Sequence, residues 1–166
     1  VVQDSVRRGR RVLLVSSRGF HRETAVSRHD LQAERAPAWV GVGSPTMRAM
    51  QIEQLGEPSE LRVATVRDPA PAPGEVLLDV RAIGCNFFDI LIVQGKYQVK
   101  PPFPFIPGGE IAGVVREVGA GVKGFAVGDR VLAAAPMGGY AERIAIPASF
   151  AHRMPDAMSF DEGAGF

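Results

Sequence analysis

One short stretch of this 166-residue chain gathers side chains suited to recognising a ligand: Cys85-Asn86-Phe87-Phe88-Asp89, with Tyr97 shortly after. An asparagine amide both donates and accepts hydrogen bonds, a tyrosine offers a ring and a hydroxyl, and an ionised carboxylate only accepts. Such a set can hold a polar or planar molecule, but no histidine stands near Cys85 in the sequence to activate it as a nucleophile. Elsewhere there is no Ser/His/Asp or Cys/His pattern for covalent catalysis and no carboxylate pair of the glycosidase kind. His152 stands alone, and His21 and His29 lack companion ligands at metal-site spacing, so all three read as surface or hydrogen-bonded histidines. Cys85 is the only cysteine, which excludes an internal disulfide and a Cys-rich metal knuckle and suits a small buried hydrophobe. Gly119-Ala-Gly-Val-Lys-Gly124 matches G-x-G-x-x-G, but Phe125–Val131 continues it as a turn into a strand. A dinucleotide site needs a helix there, because helix N-terminal amides hold the pyrophosphate. The glycines are therefore expected to form a tight corner between strands.

The elements that must position these residues are mostly strands. Arg48 to Ile52, Leu61 to Val66, Glu75 to Ile83, Glu110 to Val118, Asp129 to Ala135, Tyr140 to Ile146 and Phe150 to Met154 read as short β runs. In Glu75 to Ile83, Val76, Leu78, Val80 and Ala82 fall on one face by the period of two. The Pro69-Ala-Pro71-Ala-Pro73-Gly74 stretch cannot continue a ladder, since proline lacks the amide donor. Asn86 is a good N-cap and Gly95 a good stop, which predicts a two-turn helix between them. Ser159 followed by Glu162 is a capping box that opens a second helix. Many short strands with glycine corners predict a mainly β domain, a small barrel or sandwich, with one or two short helices.

Composition agrees. Hydrophobic residues make up 46% and charged residues 22%, enough to build a core and unlike a disordered chain. No apolar run reaches the ~18–20 residues of a membrane-spanning helix. The net charge of +1 conceals a division: residues 1–46 hold eight arginines against four acids, whereas residues 47–166 are mildly acidic. The basic residues of 47–166 form no stripe for nucleic acid. Residues 1–46 are expected to be a basic, disordered extension, with an over-extended gene start as its source; a targeting segment or a basic arm are the other readings. The Met47-Arg-Ala-Met-Gln-Ile run suits the start of the first strand.

Several motifs then occur in order: Cys85-Asn86-Phe87-Phe88-Asp89, Gln94-Gly95-Lys96-Tyr97, Phe105-Ile106-Pro107-Gly108-Gly109-Glu110-Ile111-Ala112-Gly113, Val127-Gly128-Asp129-Arg130-Val131 and Gly138-Gly139-Tyr140-Ala141-Glu142. Together they resemble the N-terminal, GroES-like half of medium-chain dehydrogenases/reductases, and most closely the zinc-free NADPH:quinone oxidoreductase branch. The resemblance covers Met47 to Phe166. It implies a partly open GroES-like β-barrel, NADPH as cofactor, and hydride transfer to quinones or activated enones. Zinc alcohol dehydrogenases of this pattern carry a Cys ligand where this chain has Asn86 and a His ligand where it has Gly109. Neither residue replaces those ligands, so no metal is expected. Hydride transfer without a Lewis acid suits acceptors that mainly need positioning against a nicotinamide.

By the same resemblance, Asn86, Asp89 and Tyr97 are the cofactor-side residues of the cleft, and Phe87, Phe88 and Tyr140 the candidate pocket residues. Helix capping is the rival role for Asn86 and Asp89, and core packing that for Phe87 and Phe88; the roles can coexist. Glu110 is read as a structural residue near the cleft. In the resembling family a Rossmann domain follows the helix that opens at Ser159 and makes most cofactor contacts. The chain is accordingly expected to be a truncated, inactive part of a cytoplasmic enzyme whose full-length form is a homodimer. An enoyl reductase shares the pattern, and a free-standing barrel acting as a binding or assembly module is the non-enzymatic alternative.

Overall fold

In a computed structural model, which describes Leu13–Ser16 and residues 45–166, the chain is organised around one long strand. Strand β1 is Leu13–Ser16, β2 Thr46–Gln51, β3 Arg62–Arg67 and β4 Glu75–Cys85. Helix α1 is Phe87–Val93, followed by β5 Glu110–Val118, β6 Arg130–Ala134, β7 Arg143–Pro147, β8 Ala151–Arg153 and helix α2 Phe160–Ala164. The arrangement is the mainly β one expected, with two short helices.

β4 owes its central place to its apolar content. Val76, Leu78, Val80 and Ala82 are buried as the alternation requires, but Leu77 and Ile83 are buried as well. Both faces are therefore covered. Register shifts against β5 at Leu77/Leu78 and Val80/Ala82 bend the strand, as bulges do. β5 pairs antiparallel along nearly its whole length, from Val76 opposite Val118 to Ile83 opposite Ile111. Its other edge is shared: β7 pairs antiparallel with Glu75 to Asp79, and β1 runs parallel to Ala82 to Cys85. The sheet order is β1-β4-β5-β6-β8, with β7 on β4. Val76, Leu78, Ile111, Val115, Val131 and Ile146 form the centre of the main core. The expected basic extension lies outside the described residues, except that Leu13–Ser16 forms β1 and Thr46 opens β2.

β2 and β3 form a separate antiparallel hairpin. It is fastened to the sheet by Met50 N–H donating to the Tyr140 carbonyl at 2.8 Å and Glu142 N–H to the Arg48 carbonyl at 3.1 Å. The Arg48 guanidinium grips the Glu142 carboxylate, and the Arg143 guanidinium bonds Asp68 and the Thr46 carbonyl. This docking explains why the strand predicted from Tyr140 begins only at Arg143. Tyr140 and Ala141 turn away to meet β2 instead.

The predicted corner is found. Gly121, Gly124 and Gly128 all have positive φ between β5 and β6, and no helix follows. The predicted helix stop is also found, with Gly95 at φ 67°. In α2, Ser159 accepts from the Glu162 amide, while the Glu162 carboxylate accepts from Ser159 N–H at 2.8 Å. Arg130 fastens the segment before α2 by bonding the carbonyls of Pro155, Asp156 and Met158 and stacking over Phe160.

Candidate functional site

Three chain segments meet around an open cleft of about 270 Å³. The start of α1 contributes Asn86 and Phe88, the turn into β5 contributes Gly109 and Glu110, and the end of β6 contributes Ala134 and Ala135. Register fixes the last two segments against each other: Glu110 lies opposite Ala134, and Ala135 N–H donates to the Gly109 carbonyl at 2.8 Å. Small residues keep the cleft open. A Cβ at Gly109 would lie 3.0 Å from the Ala135 carbonyl and 3.9 Å from the Phe88 ring. At the back, a Cβ at Gly84 would lie 2.7 Å from both the Glu110 carboxylate and the Ala164 carbonyl. Glycine there lets Glu110 and the end of α2 approach β4.

On the same helix as Phe88 stands Asp89, at 4% exposure the one buried charged side chain among the described residues. Its carboxylate caps the helix by accepting from Asn86 N–H at 2.9 Å and reaches the neighbouring turn to accept from Gly108 N–H at 3.1 Å. The Tyr140 hydroxyl is its third hydrogen-bond partner. Burial pushes the Asp89 carboxyl above the ordinary carboxylate range, because the three donors do not fully offset lost hydration and Glu110 adds like charge. Burial likewise holds the Tyr140 phenol far above its usual value, with the neighbouring Cys85 and Asp89 acting in the same direction. The Cys85 thiol is pushed up, first by burial, against the lowering effect of its hydrogen bond with Tyr140. The phenol has one proton. With Asp89 ionised, that proton goes to the carboxylate.

The predicted site residues thus occupy different levels. Asn86 and Phe88 line the cleft, whereas Asp89 and Tyr140 are buried and are not among its lining residues. Tyr97 packs edge-on against Phe88, with ring centroids 4.7 Å apart, beside the Ile52, Ile92, Val93 and Phe105 cluster. Phe87 is 71% exposed and is not among the lining residues. His152 is exposed on β8. Gly109, which stands where zinc relatives carry a ligand, and Glu110, read as near the cleft, both line it; sequence reasoning missed Ala134 and Ala135, whose only signal was the run of small residues at 133–135. It also missed the bond between Cys85 and Tyr140, which are far apart in the chain.

The donor set does not suit zinc. Asn86 supplies an amide, Gly109 supplies no side chain, and among the described residues no group of three His, Cys, Asp or Glu is arranged to hold a metal.

Residues 72–156 match the family of the alcohol dehydrogenase GroES-like domain. The chain is 36% identical over 141 residues to the synaptic vesicle membrane protein VAT-1 homolog-like of Mus musculus, covering 81% of this chain and 34% of that protein. The crystal structure of the human VAT-1 homolog-like protein superposes with a TM-score of 0.72 at 38% identity, covering 74% of this chain and 40% of that one. Escherichia coli quinone oxidoreductase complexed with NADPH superposes with a TM-score of 0.66 at 36% identity, covering 72% and 36%. The chain therefore spans about a third of the length of these relatives. The resemblance in the sequence pointed to quinone oxidoreductases and did not anticipate the VAT-1 homologues. Among the described residues no helix is long and apolar enough to cross a membrane.

Proposed function

Given that the chain belongs to the alcohol dehydrogenase GroES-like domain family of medium-chain dehydrogenases/reductases, we propose that it is the cleft-bearing part of an NADPH-dependent reductase of quinones or activated enones. The observation that carries this reading is the cleft itself: an open site lined by the Asn86 amide, the Phe88 ring, Glu110 and the small residues Gly109, Ala134 and Ala135. Walls with no atoms beyond Cβ suit flat rings, and the Asn86 amide can both donate to and accept from a carboxamide or a ribose hydroxyl. Asn86 and the Gly109–Glu110 turn would hold the nicotinamide end of the cofactor. When bound, NADPH supplies the hydride. Phe88 would face the planar acceptor, its ring steadied by Tyr97. Restricting the acceptor to a near-attack geometry is the contribution such a wall can make without a metal.

A second, dinucleotide-binding domain is required in this proposal, because the described residues contain no strand–glycine loop–helix unit to grip a pyrophosphate. The full-length protein is proposed to be a cytoplasmic homodimer. The test is NADPH oxidation with a fully substituted benzoquinone. The 166-residue chain alone should give no turnover. Fused ahead of a relative's dinucleotide-binding domain it should turn over, and Asn86→Ala should lower kcat/KM roughly tenfold, the scale of one lost hydrogen bond. Robust turnover by the chain alone would overturn the requirement for a second domain. An inactive fusion that binds no quinone would favour a non-enzymatic barrel.

A further inference from the structure

Two walls of the cleft come from segments some twenty residues apart, and one carboxylate joins them. Asn86 stands at the start of α1 and Gly109 in the turn that leads into β5. The backbone amide of Asn86 and that of Gly108, the neighbour of Gly109, both donate to Asp89. The Tyr140 hydroxyl completes the set from the chain leading to β7. We propose that Asp89 is the positioning residue of this cleft: held by Tyr140, its carboxylate fixes the Asn86 wall against the Gly109 wall. The proposal deepens the reductase reading, and its meaning for a bound quinone rests on that reading.

The chemistry requires a carboxylate. Three donors converge on one side chain, and only an ionised carboxyl offers acceptor sites to all of them without presenting a donor of its own. An asparagine would turn its amide protons toward one of the three donors. Asp89 touches no cleft ligand in this scheme; it acts through two amides. The groups facing it are those two amides, the Tyr140 hydroxyl, the Cys85 thiol through that phenol, and the Glu110 carboxylate from β5. Because burial favours its protonated form, Asp89 takes up a proton ahead of an ordinary aspartate as the solution is acidified. The two walls should then lose their tie before the exposed carboxylates titrate.

The experiment follows the backbone amides of Asn86 and Gly108 by NMR in the 166-residue chain during acid titration. Both should move with one common midpoint, above that of exposed aspartates. Tyr140→Phe keeps the ring in its packing but removes one donor to the charged form, so the common midpoint should move up. A role limited to core packing would leave that midpoint in place. Asp89→Asn should abolish the shared titration and weaken binding of a fully substituted benzoquinone about tenfold, the loss expected for one charge-assisted hydrogen bond. Amides that titrate separately, or a midpoint indifferent to Tyr140→Phe, would overturn the proposal, and the second variant decides it should Asp89→Asn fail to fold. A benzoquinone that leaves Asn86, Phe88 and Gly109 unmoved, while the two amides still titrate together, would refute the reductase reading and leave the positioning role supported.

Discussion

Gly108→Ala should be among the most damaging single-methyl additions in this fold, and the structure gives the size of the effect. Gly108 has φ 97°, a region that side chains occupy at a cost of roughly 1–3 kcal/mol. Its Cβ would lie 2.3 Å from Tyr140 Cδ1 and 2.8 Å from Tyr140 N. The ring cannot step aside cheaply. Its hydroxyl is bound to Asp89, its amide donates to the Pro107 carbonyl at 2.9 Å, and its carbonyl accepts from Met50. Overpacking of a fixed neighbour adds about 1–3 kcal/mol, so the total should be about 2–6 kcal/mol. That is a large share of the ~5–15 kcal/mol that stabilises a typical domain. Gly121→Ala is the control, since Gly121 has φ 79° but no neighbour within 4 Å of its Cβ. It should cost only the backbone part, about 1–3 kcal/mol. The assay is urea unfolding followed by circular dichroism, with unchanged m-values. Equal losses for the two variants, or a Gly108→Ala protein within about 0.5 kcal/mol of the parent, would refute the packing argument.

Other expectations follow from the same geometry. Arg143→Ala should destabilise by about 2 kcal/mol in the same urea assay, because it strips the largely buried Asp68 carboxylate of its partner and frees the β2–β3 hairpin; a loss no larger than that of an exposed arginine would contradict this. Burial alone would raise the Glu142 carboxyl, but the Arg48 amide and guanidinium outweigh it and hold it below the ordinary range. A depressed carboxyl contributes stability that is present above its unfolded pKa and lost as pH falls through the folded value, so Arg48→Met should flatten the acid end of the stability profile. Cys85, raised first by burial, should react with iodoacetamide at neutral pH at least about tenfold more slowly than in the unfolded chain. Mass spectrometry of the time course measures this, and equal rates would contradict it.

Local chemistry made much of the fold legible. Asn86 and Ser159 start their helices, Gly95 ends one, and the Gly119–Gly124 motif turns a corner as its continuation requires. These features depend on neighbours within a few residues. What could not be read depends on partners far along the chain. Nothing in Leu77 and Ile83 announces that β4 is covered on both faces, because the cover comes from segments paired only in the folded sheet. The same holds for the site. Asp89 reads as a helix-capping residue, and it is one, but its bonds to Gly108 and Tyr140 span 19 and 51 positions and have no sequence signature. Ala134 and Ala135 are informative by their smallness, which becomes visible only when Asn86 and Gly109 are brought beside them.

Whether this cleft takes a flat acceptor decides the reductase reading. The most direct measurement is an NMR titration of the isotope-labelled 166-residue chain with a fully substituted benzoquinone, which has no free ring position for thiol addition at Cys85. The account predicts saturable shifts at Asn86, Phe88, Gly109, Glu110, Ala134 and Ala135, with β8 and the Gly119–Gly124 corner unmoved. Shifts confined to the exposed Phe87, Val127 or Phe166, with the cleft residues silent, would contradict it.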